Sequence, residues 1–289
     1  MLPIRTLVER DRELTTAFLP PSLRELYNGD LHFPAAPDER PYVIANFVST
    51  LDGVVSYQID GNSGGSPISG SDQGDRFIMG LLRASADAVM VGSRTVHDVN
   101  PTHLWIPAYI YPEAKALYTK YRLDVLHKPE NPLVVIISGS GRLELERAIF
   151  QTPEVRTVVV TTLAGQNALA KAGTAKSGSV EIHVLDATDG TIDPPAILQL
   201  LYSHFGVRIL LHEGGPTLFG KFLAAGAVDE LFMTLAPQIA GRGARTIRPG
   251  LVQGMEFLPN TAPWFELLST KQSAEHLYLH YRRTQAPAR

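Results

Sequence analysis

Runs of apolar residues alternate with helix-patterned segments along most of this 289-residue chain, and this alternation restricts the fold more than any other feature. Seven apolar runs predict strands: Tyr42–Val48, Ala88–Val91, Leu133–Ile137, Thr157–Thr161, Val180–Leu185, Val207–Leu211 and Leu231–Leu235. Helical spacing predicts five helices: Asp72–Ser85, Leu143–Phe150, Gln166–Ala172, Pro195–Phe205 and Pro216–Ala225. Strands that alternate with helices predict an α/β protein with a mainly parallel central sheet and helices on both faces.

Three segments depart from this alternation. Leu267–Thr270 and His276–Arg282 have no helix between them, which predicts antiparallel strands that close the sheet. Residues 1–40, rich in proline and charge, are predicted to form an extension outside the core, so that the main domain covers residues 41–285. Residues 101–132 are long for a loop and carry aromatic residues among prolines, which predicts an inserted lid or a dimer arm.

Composition excludes several classes of function. A formal net charge of −3 with evenly mixed charges argues against nucleic acid or an anionic membrane as the main partner. No apolar run approaches the roughly 20 residues that span a bilayer, and the charged first residues do not resemble a secretory signal. The chain has no cysteine, which excludes disulfides and catalytic thiols. A cytoplasmic enzyme is therefore expected.

Two adjacent glycines, Gly214 and Gly215, lie between a predicted strand and a predicted helix in the stretch LLHEGGPTLFG. Backbone amides at a helix N-terminus attract anions, and glycine lets a pyrophosphate approach the main chain closely. Ligands of open α/β sheets bind at the carboxyl ends of strands, where this pair is expected. The stretch predicts either a phosphate site or a plain strand-to-helix turn with Thr217 in the first helical turn.

A second glycine turn follows the strand predicted over Ala88–Val91 and contains Gly92, Ser93, Arg94 and Thr95. Arginine presents a planar fork of donors suited to a phosphate, and the two hydroxyl groups add further donors. Alone, the turn is a weak signal, because most turns of this kind only cap a helix. Two such turns in one sheet favour a dinucleotide, although neither matches the G-x-G-x-x-G pattern of an ordinary Rossmann site.

Two charged residues have both a structural and a functional interpretation. Asp52 precedes Gly53 in an Asp-Gly pair typical of tight turns, and its carboxyl group is also a candidate acid near a substrate. Arg83 lies at the end of a predicted helix. It is either a solvated arginine that offsets the helix dipole or a clamp for an anionic substrate.

Six stretches, in this order, closely resemble the reductase domain of bacterial riboflavin biosynthesis: STLDGVVS, GSPISG, LLRASADAVMVGSRTV, NP, VVIIS and LLHEGGPTLFGKFLAAGAVDELFMTLAPQIAGRG. That domain is the carboxyl half of a bifunctional deaminase–reductase and belongs to the dihydrofolate reductase-like superfamily. The resemblance covers roughly Tyr42 to Tyr281. The chain is similar to stand-alone members of this family that lack the deaminase half.

The resemblance implies NADPH as cofactor, a heterocyclic small molecule as substrate, a homodimer, and no metal. It places the substrate on Arg83 and Glu213. From the residues themselves, Asp52 is a further candidate near the substrate, and Asp52 and Glu213 are the candidate catalytic acids, with water as the alternative proton source. Arg94 beside the adenosine end would favour NADPH over NADH, because a 2′-phosphate prefers a guanidinium. The implied cofactor contacts are Gly92, Ser93, Arg94, Thr95, Ser138, Gly214, Gly215, Pro216, Thr217 and Leu218, in a run that continues to Lys221.

The chain also departs from the family pattern. The usual Trp of the Ser-x-Trp-Ile-Thr turn is absent, and Pro67 precedes Ile68 here. In VHDVNPTHLWIP the acidic residue is shifted to Asp98, and the arginine that helps to hold the ribose phosphate is missing. Poor turnover of a phosphorylated riboflavin precursor is therefore expected, and better turnover of a less anionic, pterin-like ring. The residues near the missing arginine are His103, Trp105 and Tyr109, and the possible replacement cations are Lys115 and Arg122.

These observations favour an NADPH-dependent reductase of a pyrimidine-, pterin- or ribosylamino-type compound that acts by direct hydride transfer. Two alternatives stay open. The chain could be a nucleotide-binding or regulatory protein that has lost turnover, or an interaction protein that uses residues 101–132 as its partner surface. Cofactor binding separates the last alternative from the others, and substrate-dependent NADPH oxidation separates the first two.

Overall fold

The computed structural model describes residues 2–10, 18–59, 64–172, 180–244 and 247–284. The strands are β1 (Arg5–Glu9), β2 (Tyr42–Ser49), β3 (Ala88–Gly92), β4 (Leu133–Ser138), β5 (Thr157–Thr161), β6 (Val180–Val184), β7 (Ala187–Thr188), β8 (Thr191–Ile192), β9 (Ile209–His212), β10 (Glu230–Leu235), β11 (Trp264–Ser273) and β12 (His276–Thr284). The helices are α1 (Pro21–Tyr27), α2 (Ser66–Ser69), α3 (Gln73–Ser85), α4 (Ser93–Asp98), α5 (Pro107–Ile110), α6 (Lys115–Lys120), α7 (Ala148–Gln151), α8 (Leu163–Ala172), α9 (Pro194–Ser203) and α10 (Pro216–Ala224). Short 3₁₀ and π turns occupy Pro112–Ala114 and Tyr121–Val125.

The chain divides into two compact units. Unit 1 comprises Met1–Pro34, Val43–Met79 and Pro216–Arg289, and unit 2 comprises Ala35–Tyr42 and Gly80–Gly215. No helix in the described ranges is both long enough and apolar enough to cross a membrane.

Unit 2 contains a five-stranded parallel arrangement in the order β9-β3-β4-β5-β6. The side chains of β4 and β5 are almost all buried, which is the pattern of strands covered on both faces. The parallel sheet predicted from strand–helix alternation is confirmed, with small differences at the strand ends. Strand β9 begins at Ile209 rather than Val207, because the Asp87 carboxylate accepts hydrogen bonds from the backbone N–H groups of Arg208 and Ile209 at 2.9 and 2.8 Å.

Unit 1 contains strands in the order β1-β11-β12-β10-β2. β10 pairs with β2 in parallel and with β12 in antiparallel orientation, and β11 pairs with β12 along nearly its whole length. The predicted antiparallel C-terminal strands are therefore confirmed, and they are longer than expected at Trp264–Ser273 and His276–Thr284.

The described part of residues 1–40 differs from the expected extension outside the core. β1 pairs with β11, and Leu23 and Tyr27 of α1 are buried. The buried Lys271 ammonium of β11 donates to Thr6 Oγ1 and to the Asn28 carbonyl at 2.8 and 3.0 Å. These contacts fasten the N-terminal segment to the sheet of unit 1.

Residues 101–132, predicted to be an inserted lid or a dimer arm, belong to unit 2 in the structure. The segment forms short helical turns whose aromatic side chains, including Trp105, Tyr118 and Tyr121, are buried. Arg122 is 1% exposed and donates to the carbonyls of Arg83, Ala84 and Ala86 at the end of α3. A cation at a helix C-terminus offsets the negative end of the dipole, so this segment is built into unit 2 and completes α3.

The helix predicted over Leu143–Phe150 is wrong for its first half, because only Ala148–Gln151 is helical. Arg147, just before that helix, has an extended backbone. Its guanidinium donates to the carbonyls of His97 and Val99 and to Glu144 Oε2. These tertiary hydrogen bonds hold Arg147 in an extended conformation, although the sequence pattern favours a helix there.

Candidate functional site

The two glycine turns follow neighbouring strands of unit 2. β3 and β9 pair in parallel, with Met90 opposite His212, and the Glu213 amide continues the ladder to the Met90 carbonyl at 2.9 Å. Because the carboxyl ends of parallel strands meet at one edge of a sheet, the turns after Gly92 and His212 lie side by side.

The Thr95 side chain links the two turns. Its Oγ1 accepts a hydrogen bond from the Gly215 amide at 2.9 Å. A Cβ atom on residue 215 would lie 3.2 Å from the same oxygen, so with a larger residue the Thr95 hydroxyl would have to move by a few tenths of an ångström. The structure thus brings together Thr95 and Gly215, which sequence analysis placed on a common ligand.

The Gly214 amide is also engaged within the protein. It donates to Nδ1 of His212 at 3.2 Å. Burial lowers the pKa of His212 to about 3, so the ring is neutral and Nδ1 can accept. Since both glycine amides bond protein atoms and Pro216 has no N–H, the next amides that an anion could meet belong to Thr217 and Leu218 in the first turn of α10. The glycines thus let an anion approach the backbone closely, and the hydrogen bonds of their amides stabilise the turn.

Arg83 and Glu213 form a buried ion pair beside these turns. Arg83 Nη2 lies 2.7 Å from Glu213 Oε2, and Nε lies 3.0 Å from Oε1. The two side chains are 1% and 7% exposed. Arg83 Nη1 donates to the carbonyls of Leu104 and Ile106 at 3.3 and 3.4 Å. The guanidinium therefore fixes Glu213 and the 104–106 segment, and it is not presented as a free clamp for an anion.

Arg94 has the opposite character. Its side chain is 77% exposed and only distantly paired with Asp98, at 3.8 Å. Arg94 is the second residue of α4 and directly follows Gly92 and Ser93. An exposed guanidinium next to a glycine turn is available to a phosphate group.

Ser138 ends β4, next to β3 in the sheet. It is 1% exposed, and its Oγ accepts a hydrogen bond from the Gly141 amide at 3.1 Å. The hydroxyl thus shapes the turn after β4.

Asp52 lies in unit 1, in the tight turn that its Asp-Gly pair predicts: Gly53 has φ +76° and its amide bonds the Thr50 carbonyl at 3.0 Å. The Asp52 carboxylate accepts hydrogen bonds from Thr50 Oγ1 at 2.6 Å and from the amides of Ala240 and Gly241 at 3.1 and 2.7 Å. These donors, the Thr50 hydroxyl foremost, lower its pKa to about 2. Asp52 is therefore a carboxylate near neutral pH and has no proton to give.

The region of the missing arginine is aromatic. The His103 ring lies 4.6 Å from the ring of Trp105 and 4.8 Å from that of Tyr109. Arg122, one of the two possible replacement cations, is committed to backbone carbonyls, whereas Lys115 is exposed. The sequence does not reveal the roles of His212 and Arg147. His212 lies in the LLHEGG stretch, but its bond to the Gly214 amide is visible only in the structure, and Arg147 belongs to no recognisable motif.

The comparisons with known proteins agree with this architecture. The family described as "RibD C-terminal domain" matches residues 41–277. A Methanothermobacter thermautotrophicus protein named 2,5-diamino-6-ribosylamino-4(3H)-pyrimidinone 5′-phosphate reductase is 29% identical over 73% of this chain and 85% of its own length. Escherichia coli riboflavin biosynthesis protein RibD is 26% identical over 83% of this chain, which spans only 59% of that longer protein.

Solved structures show the same fold. A pyrimidine reductase-like protein from Corynebacterium diphtheriae superposes with a TM-score of 0.64 at 19% identity, over 85% of this chain and 93% of that chain. The riboflavin biosynthesis reductase Rib7 of Saccharomyces cerevisiae gives 0.56 at 15% identity, over 91% of this chain and 99% of its own. The resemblance inferred from the six sequence stretches is confirmed, and the chain belongs to the RibD C-terminal domain family.

Proposed function

We propose that this protein is an NADPH-dependent reductase of a ribosylaminopyrimidine-type compound. The observation that carries the proposal is the edge of unit 2 where Thr95 joins the two glycine turns beside the Arg83–Glu213 ion pair. The names of the relatives, which are reductases of a ribosylaminopyrimidine phosphate, support the substrate class. We also propose a homodimer, since closed two-fold dimers are the commonest oligomer.

The residues present fit a dinucleotide phosphate. Gly215 has no side chain, so a phosphate can approach the backbone there. The exposed Arg94 supplies a guanidinium at the neighbouring turn. In the proposed complex Gly92–Thr95, Gly214–Gly215 and Pro216–Leu218 contact the cofactor, with Ser138 holding the adjacent turn. When bound, the reduced nicotinamide supplies a hydride for an imine or carbonyl carbon.

Glu213 has a defined part in this proposal. Its carboxylate is held from one side by Arg83, so its remaining lone pairs can accept hydrogen bonds from the ring or amino N–H groups of a substrate. Arg83 acts as a positioning residue through Glu213. This assignment replaces the direct contact between Arg83 and an anionic substrate.

The proton that accompanies the hydride has to come from elsewhere than Asp52, whose pKa of about 2 keeps it ionised. Glu213 already accepts N–H bonds from Arg83. We therefore propose that water delivers the proton, and that Asp52 holds the loop at Ala240 and Gly241 in place.

We expect this protein to differ from its relatives in how strongly kcat/KM depends on the 5′-phosphate of the substrate. The guanidinium groups of Arg83 and Arg122 are committed to protein atoms, and an aromatic cluster lies where the family pattern has an arginine. The test compares kcat/KM for the ribosylaminopyrimidine with and without its phosphate, measured as loss of NADPH absorbance. We expect the phosphate to bring no advantage. A higher kcat/KM for the phosphorylated compound would contradict this, and failure of both compounds and of a pterin to oxidise NADPH would favour a binding protein without turnover.

Arg94→Ala is expected to erase a preference for NADPH over NADH. The loss of a charge-assisted hydrogen bond should cost NADPH about 1–3 kcal/mol of binding free energy and leave NADH unchanged. Calorimetric titration of both cofactors measures this, with the exposed Arg24→Ala as matched control. An equal loss of binding affinity for both cofactors would contradict the contact between Arg94 and the 2′-phosphate.

A further inference from the structure

Two histidines and a glutamate meet at the β6 end of unit 2, away from the glycine turns. Glu181 and His183 lie two positions apart on β6, so their side chains leave the same face of the strand. His204 directly follows α9. One potential ligand atom from each of the three lies within 4.8 Å of the others.

We propose that Glu181, His183 and His204 form a binding site for a divalent transition-metal ion of the zinc type. Two imidazole nitrogens and one carboxylate oxygen are a donor set that such ions take, with water completing the coordination. Metal–ligand bonds of about 2.0–2.2 Å place ligand atoms roughly 3.3 Å apart. The side chains are half-buried or exposed, so small changes of their torsion angles within the same rotamers close the remaining gap.

The two oxygens of the Glu181 carboxylate have different neighbours. Oε1 of Glu181 accepts hydrogen bonds from Arg156 Nε and Nη2 at 2.9 and 2.7 Å, whereas Oε2 lies 3.6 Å from His183 Nε2. Arg156 thus orients the group and leaves the second oxygen towards the imidazole.

The imidazoles are held by a neighbouring ring. The ring centroids of His183 and His204 lie 5.1 Å apart, and the Phe205 ring lies 5.0 and 4.8 Å from them. The Arg156 guanidinium lies 5.3 Å from the centre of the Phe205 ring. This packing restricts the rotamers of both histidines, so less side-chain entropy is lost when an ion binds.

The site has a structural consequence that is independent of hydride transfer. β6 is the last strand in the order of unit 2, three strand pairings away from β3. An ion bound there cross-links the end of α9 to this strand. Metal binding is therefore expected to raise the thermal stability of the protein, because a ligand that binds only the folded state stabilises it.

Titration calorimetry with Zn²⁺ alone and the visible absorption of added Co²⁺ test the proposal on the full chain. One ion per chain at micromolar affinity is expected, with a Co²⁺ spectrum typical of nitrogen and oxygen ligands. His183→Gln and His204→Gln should each weaken binding at least tenfold, because each substitution removes one ligand atom.

His97→Gln is the matched control, since His97 lies 3.3 Å from both the Asp98 and Glu144 carboxylates but is not part of the three-residue cluster. It should bind zinc like the wild type. Circular dichroism confirms that each variant is folded. Binding only at millimolar concentration, or equal affinity of all three variants and the wild type, would overturn the proposal.

Discussion

Arg83→Ala is expected to lower kcat/KM by about 100-fold, the scale of a small misplacement of a reacting group. The alanine leaves the Glu213 carboxylate buried without its guanidinium and frees the 104–106 segment. Removing one partner of a buried ion pair costs about 3–5 kcal/mol of unfolding free energy. Steady-state NADPH oxidation and urea unfolding measure the two effects.

A double variant separates positioning from stability. Arg83→Met with Glu213→Leu replaces the whole pair by apolar groups, which is often neutral for stability. We expect it to recover most of the unfolding free energy and none of the activity. Arg83→Lys keeps the charge without the bidentate geometry and should lie between wild type and alanine in kcat/KM. Wild-type kcat/KM in the alanine variant, or recovered activity in the double variant, would contradict the proposed role of Glu213 in binding the substrate.

Asp75→Asn is expected to make the protein more stable above pH 6. Asp75 is 5% exposed, and burial raises its pKa from 3.8 to about 6, aided by the neighbouring Asp72 carboxylate. The hydroxyl groups of Thr234 and Ser69 and the nearby His276 act in the opposite direction. Between about pH 4 and pH 6 the unfolded chain releases this proton while the folded protein keeps it. The free energy of unfolding therefore falls by up to about 3 kcal/mol over that range and stays level above it.

Urea unfolding at pH 4, 5, 6 and 8 follows this change. The asparagine variant cannot ionise at residue 75, so this part of the pH dependence should vanish. Asp38→Asn, at an exposed position, is the control and should follow the wild type. A variant that is less stable than the wild type at pH 8 would show that the ionised Asp75 stabilises the folded protein, which is the opposite of the expected effect.

Most strands of unit 2 could be predicted from the sequence because they are short runs rich in branched apolar residues, and β4 and β5 are buried along almost their whole length. Thr157–Thr161 is predicted and found with identical bounds. Strand β1 could not be predicted from the sequence, since four of its five side chains are exposed and it shows little apolar alternation. The helical turns of residues 101–132 are too short to leave a periodic signal, and buried aromatic residues hold them in place.

The candidate site shows the same division. Glycine turns and strand ends can be recognised locally, so Thr95, Arg94 and the Gly214–Gly215 pair are found from the sequence. The bond between Arg83 and Glu213 joins residues 130 positions apart, and no local pattern shows that the arginine binds the glutamate rather than a substrate. The low pKa of Asp52 depends first on the Thr50 hydroxyl, two residues away, and then on the amides of Ala240 and Gly241, which are almost 190 residues away.

The central claim is direct hydride transfer to a ribosylaminopyrimidine-type substrate. The most direct test incubates the protein with substrate and NADPH that carries deuterium on one or the other face of nicotinamide C4, followed by mass spectrometry of the product. We expect one added deuterium with one labelled face and none with the other, because a bound nicotinamide presents a single face to its substrate. A reduced product without deuterium from either label, or NADPH that is never oxidised in the presence of substrate, would contradict the account.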